Sequence, residues 1–121
     1  MYNRRFKVRP VERLYKRDEI VPRSLHIDEE LYLKIQELSE TIFDASVSKL
    51  INICVETMLQ DKENIKFYKK PAGTDSIYRS ILFRKAFYDE LVEIREQTGI
   101  SFSRLVNGSI KYFLDSYEPE K

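Results

Sequence analysis

Ser46-Val47-Ser48-Lys49-Leu50-Ile51-Asn52, at residues 46–52, returns at residues 101–107 as Ser101-Phe102-Ser103-Arg104-Leu105-Val106-Asn107. Working outward from this pair, the likeness extends over Arg23–Leu59 and Arg79–Leu114, at an offset of 56 that drops to 55 before the quoted stretch. One extra residue therefore sits in the first copy's turn. Ten of the 36 aligned positions are identical: Arg23/Arg79, Ser24/Ser80, Tyr32/Tyr88, Glu37/Glu93, Glu40/Glu96, Ser46/Ser101, Ser48/Ser103, Leu50/Leu105, Asn52/Asn107 and Leu59/Leu114. A unit of this size cannot bury a core alone, so the duplication predicts that the copies pack on each other.

Each copy opens with a short alternating stretch. Leu25 and Ile27 share one face while Pro22, Ser24 and His26 share the other; Ile81 and Phe83 are set against Tyr78, Ser80 and Leu82 in the same way. Period-two alternation predicts a half-buried strand, in which Pro22 fits only at the start or on an edge. Leu31, Ile35, Leu38 and Ile42 then fall on one helical stripe, repeated by Phe87, Leu91 and Ile94. Asp28-Glu29-Glu30 suits the positive end of the first helix, with Asp28 as its N-cap, and Gly99 supplies a stop for the equivalent helix. That helix instead opens with Arg84 and Lys85, charges unfavourable for the dipole and therefore open to another use.

Ser46 and Ser101 are suitable N-caps for a second helix in each copy. Val47, Leu50, Ile51, Cys54, Val55, Met58 and Leu59 cover more than a narrow stripe, as do Phe102, Leu105, Val106, Ile110, Phe113 and Leu114. Such a helix must be packed by more than one neighbour and is the central one. The unit is thus strand–helix–helix, and a lone strand needs a partner, which the other copy supplies. The resulting division is an arm over 1–21, a first unit over 22–60, a linker over 61–77 broken at Pro71-Ala72-Gly73, and a second unit over 78–117. Whether the strands pair within one chain or between chains stays open.

The 121 residues carry a formal net charge of +1, but the charge is unevenly placed. Residues 1–23 hold eight basic side chains, including Arg4, Arg5, Lys7 and Arg9, against three acidic ones, whereas residues 24–60 sum to about −5. A basic arm ahead of an acidic helical body points to nucleic acid, with a solvated structural arm as the alternative. No apolar run approaches the roughly 20 residues of a membrane span, and no signal-peptide pattern opens the chain. The one cysteine excludes an intrachain disulfide and fits a cytoplasmic setting, so no membrane role is expected.

A strand, a helix and a second helix beginning Ser-x-Ser-[Lys/Arg]-Leu-[Ile/Val]-Asn resembles the ribbon-helix-helix family, of the Arc and MetJ type. The likeness covers residues 22–60 and 78–117. It implies a mainly α fold with a short two-stranded antiparallel β-ribbon, two units in one chain forming a pseudo-dimer, and insertion of the ribbon into the major groove of double-stranded DNA. By position, it assigns base contacts to Ser24, His26, Tyr78 and Ser80. Phosphate contacts fall to the second-helix N-termini at Ser46, Val47, Ser48, Ser101, Phe102 and Ser103, which are anion sites on physical grounds as well. Arg23 and Arg79 can twist from the strand starts towards phosphate, and Arg4, Arg5, Lys7 and Arg9 would add affinity through counterion release. Leu82 and Tyr78 depart from the polar side chains usual on such a face.

The expectation is a sequence-specific DNA-binding transcriptional regulator, in the first place a repressor, that self-associates or loads cooperatively on DNA. Two alternatives remain: a plasmid partition or conjugation accessory protein, and an antitoxin or anti-repressor whose ribbon serves protein interaction. No glycine-rich phosphate loop, nucleophile–base pair or carboxylate pair points to an enzyme, and no ligand spacing points to a metal or cofactor. His26 is either a DNA contact or a solvent-exposed structural residue, and Cys54 is an inert core thiol. Because packing positions match while outward strand positions differ, the target half-site is expected not to be a perfect palindrome.

Overall fold

The alternating stretches of the two copies become strands that pair with each other in one chain. The computed structural model describes residues 19–61 and 68–117. They run β1 (Ile20–Asp28), α1 (Glu29–Thr41), α2 (Val47–Leu59), β2 (Ser76–Arg84), α3 (Lys85–Thr98) and α4 (Phe102–Tyr117). The fold is mostly helical with one two-stranded antiparallel sheet. Its register sets Ser24 opposite Ser80, its own counterpart in the repeat, while Arg23 faces Ile81 and Arg79 faces Leu25. Exchanging the copies maps this ladder onto itself.

Leu25, Ile27, Ile81 and Phe83 point into the core, and Pro22, Ser24, His26, Tyr78, Ser80 and Leu82 point to solvent, as the alternation requires. Each strand starts two residues before that alternation becomes visible, so Pro22 is the third residue of β1 rather than its start. The Leu82 N–H donates to Ser48 Oγ (3.0 Å) and its carbonyl accepts from Asn52 Nδ2 (2.9 Å). Both groups of Leu82 therefore face away from β1, and its pair with Pro22 is of the non-hydrogen-bonded type. The ladder asks nothing of the N–H that proline lacks.

Beneath the ribbon lie α2 and α4, which make the most extensive helix–helix contact, flanked by α1 and α3. Leu50, Ile51, Cys54, Val55, Val106 and Ile110 are fully buried between them, and each large apolar side chain so placed contributes about 1.5–3 kcal/mol. Cys54 and Ser109 occupy equivalent positions and both are completely buried. Burial pushes the Cys54 thiol up to about 12, so the group is neutral and unreactive near pH 7.

Two expectations need correction at the first helix. Ile42 falls on the apolar stripe in sequence, yet α1 ends at Thr41 and Ile42 is 58% exposed. The turn is the cause: the amides of Ile42 and Phe43 both reach the Leu38 carbonyl, and Asp44 takes a left-handed conformation (φ 49°). The second copy makes its turn one residue shorter, with Gly99 at φ 81°, the conformation glycine accepts without strain. Asp28, expected to cap through its side chain, occupies the cap position but makes no such bond. Its carboxylate instead accepts from the Tyr68 hydroxyl, and burial followed by that bond raises the tyrosine pKa. The helix-opening amides are satisfied otherwise: Glu29 N–H donates to the Asp75 carbonyl and Lys85 N–H to the Glu19 carbonyl, both at 2.9 Å.

The repeated asparagines grip the strands. Asn52, on α2, donates to the carbonyls of Ser48 and Leu82 and accepts from the Arg84 N–H (2.9 Å). Asn107, on α4, donates to the carbonyls of Ser103 and His26 and accepts from the Asp28 N–H (2.9 Å). Each copy's second helix thus holds the outer edge of the other copy's strand. Both amides are buried (6% and 4% exposed), so truncating either leaves strand groups without partners. Asn52→Ala and Asn107→Ala are each expected to lower unfolding stability by about 1–3 kcal/mol in urea titrations; midpoints equal to that of the parent chain would contradict the clamps.

Candidate nucleic-acid interface

Along the outward face of the ribbon run three central cross-strand pairs, with Ile20 and Arg84 paired beyond them. His26 lies opposite Tyr78, Ser24 opposite Ser80, and Pro22 opposite Leu82. All six side chains are exposed, Tyr78 by 60%. The pairs are of the close type, in which side chains stand nearer than at hydrogen-bonded pairs. The His26 and Tyr78 rings accordingly meet with centroids 4.7 Å apart and planes tilted by 51°.

A helix N-terminus stands beside each end of this row. Ser46 caps α2 by accepting from the Lys49 N–H (3.1 Å), and Ser101 caps α4 by accepting from the Arg104 N–H (3.2 Å). The amides of Val47, Ser48, Phe102 and Ser103 belong to first turns, where no intrahelical acceptor exists, and carry the positive end of the helix dipole. The hydroxyls of Ser48 and Ser103 bond to the strands: Ser48 Oγ accepts from the Leu82 N–H, and Ser103 Oγ donates to the His26 carbonyl at 2.7 Å. These bonds tie the helix ends to the ribbon. The Phe102 side chain is buried, so only its backbone remains for such a contact.

Each end therefore holds a shallow groove, of about 370 Å³ beside α2 and about 380 Å³ beside α4. Ser46, Ser48, Lys49, Asn52 and Leu82 line the first; Ser101, Ser103, Arg104, Asn107 and His26 stand at the equivalent places in the second. The surroundings differ. The groove beside α4 adds Tyr68, Lys69 and Lys70 from the segment before β2, with Asp28 and Ser76, whereas the one beside α2 adds Ile20, Ile53, Phe87 and Arg84, with Glu56. The sequence alone did not single out Lys69 and Lys70, because nothing in a linker of mixed charge indicates which residues fold back. Arg84 lies 5.3 Å from the Phe87 ring centroid and Lys85 pairs with Asp89 at 2.8 Å, which accounts for the basic opening of α3.

The two strand arginines are placed on the inner side of the ribbon. Arg23 is half-buried, with its guanidinium carbon 4.1 Å from the Phe102 ring centroid and a hydrogen bond to Tyr88 Oη (3.0 Å). Arg79 is exposed, 5.4 Å from the Tyr32 ring centroid. The repeat explains the crossing, since each arginine meets the tyrosine of the other copy. Arg4, Arg5, Lys7 and Arg9 lie outside the described residues. Among the described residues no cluster of His, Cys, Asp or Glu could hold a metal ion, and no helix is long and apolar enough to cross a membrane. No family model, curated protein or solved structure matches the chain.

The different settings of the arginines separate their roles. Arg23→Ala is expected to cost about 1–2 kcal/mol of stability, through lost stacking and packing, and Arg79→Ala less than about 0.5 kcal/mol. Chemical denaturation of the two variants compares them directly; equal losses would contradict the packed state of Arg23.

Proposed function

We propose that this chain is a sequence-specific DNA-binding regulator, in the first place a repressor, built as a covalent pseudo-dimer of two ribbon-helix-helix units. The observation that carries the proposal is the combination on one side of the molecule: a solvent-facing two-stranded ribbon with a capped helix N-terminus and basic side chains at either end. A two-stranded ribbon fits the major groove, where hydroxyl, phenol and imidazole groups meet the donor and acceptor pattern of base edges. Ser24, His26, Tyr78 and Ser80 are the proposed base-contacting residues.

The backbone amides of Val47, Ser48, Phe102 and Ser103 face phosphates on either side of the groove, below the caps Ser46 and Ser101. Lys49 and Arg104 add charge there, and Arg79 reaches phosphate more readily than Arg23, whose guanidinium is committed to Phe102 and Tyr88. The basic residues Arg4, Arg5, Lys7 and Arg9 extend the same electrostatic contact. One chain covers one half-site, so self-association or cooperative loading extends the site.

A second reading, protein interaction in the manner of an antitoxin or anti-repressor, draws on the exposure of Leu82 (50%) and Tyr78. A partition or conjugation accessory protein would share the DNA chemistry and differ in output. Salt separates the classes. With about four to seven phosphates neutralised, affinity for a random duplex should fall between about a hundredfold and several thousandfold from 50 to 200 mM salt, and no detectable binding at low salt would exclude DNA as the ligand. Ser24→Ala combined with His26→Ala should weaken binding to a selected site more than to random duplex, measured by anisotropy. Equal losses on both would reject base contact by β1.

A further inference from the structure

The outward face of the ribbon has two chemically unlike ends where the repeat would make them equivalent. His26 corresponds to Leu82 and Tyr78 to Pro22, so the exchange that maps the ladder onto itself carries an aromatic, hydrogen-bonding pair onto an aliphatic one. At the first end, imidazole and phenol stand together beside Arg104, Lys69 and Lys70. At the second, Leu82 is 50% exposed next to Pro22, with Ile20 (49%) in the same row.

We infer that these ends set the polarity of the recognised site: Pro22 and Leu82 receive the C5-methyl group of thymine, and His26 with Tyr78 hydrogen-bonds purine N7 or O6 at the other end. This rests on the proposed major-groove reading and adds the base class and orientation to it. In that groove, thymine presents the one methyl group among the four bases, while guanine and adenine present N7 acceptors. An exposed leucine beside a proline has no donor or acceptor to offer and gains only from an apolar surface. Successive outward pairs lie about 7 Å apart along a strand, so the two ends, with the Ser24–Ser80 pair between them, are about 14 Å apart and address different base pairs. Lys49 and Arg84 put positive charge in the groove beside Leu82, alongside Glu56 and the apolar Ile20, Ile53 and Phe87. Ser24 and Ser80 at the centre are identical and carry no polarity.

The test uses the full chain throughout. Each half-site in a duplex selected from a random library at low salt should be non-palindromic, with thymine at one end and a purine at the other. Replacing that thymine by deoxyuridine removes only the methyl group and should weaken binding about threefold to fivefold. Leu82→Ala should abolish this difference between thymine and uracil while leaving the salt dependence unchanged, and His26→Ala should relax the preference at the opposite end alone. A selected half-site that is itself palindromic, or a duplex whose binding does not respond to deoxyuridine, overturns the polarity and leaves the DNA reading standing. No binding to any duplex at low salt overturns both.

Discussion

A two-stranded sheet has no interior strand, and this constraint organises the molecule. Each of β1 and β2 satisfies one side of its backbone through the other and must find partners for the other side. Asn52 and Ser48 supply them to β2, and Asn107 and Ser103 supply them to β1. Because each helix serves the strand of the other copy, neither half can complete its hydrogen bonding alone. The same bonds set the first turns of α2 and α4 against the ends of the ribbon. The contact that completes the fold thereby fixes where helix amides stand relative to the outward strand face.

Buried positions of the two copies match in size and polarity, while several matched positions elsewhere differ in character. Leu50/Leu105 and Asn52/Asn107 are identical and buried, and Cys54/Ser109 are small and fully enclosed. At one matched pair, Asp28 is buried beneath Tyr68 while its counterpart Arg84 lies exposed against Phe87. The aromatic group of Phe43, Phe113 and Tyr117 likewise has no equivalent, since Gly99 and Met58 stand at the matching positions of the first two. Packing requires the copies to agree, because each completes the other's core, whereas nothing in the core restrains the exposed positions.

Much of the frame was legible in the sequence because it depends on local periodicity. The alternation at Leu25–Ile27 and Ile81–Phe83 gave the ribbon and its inner face, and the serine caps and Gly99 gave the helix ends. Long-range choices were not legible. The partner of Asn52 lies thirty residues away at Leu82, and no pattern along the chain distinguishes a clamp from a local cap. Arg23 turned inward because Phe102 and Tyr88, both from the other copy, offer aromatic surface. Ile42 left the apolar stripe because one inserted residue changed the turn after α1. For the interface, the strand positions and helix N-termini were visible, but Lys69 and Lys70 became candidates only once the segment before β2 was placed beside α4.

The central claim is that one face, made by both strands and two helix N-termini, meets DNA. Backbone amide NMR shifts recorded during titration with a selected duplex test it most directly. The account predicts that the largest changes fall within Arg23–Ile27, Arg79–Phe83, Val47–Lys49 and Phe102–Arg104. Changes concentrated instead on the outer surfaces of α1 and α3, with the ribbon unmoved, would contradict it.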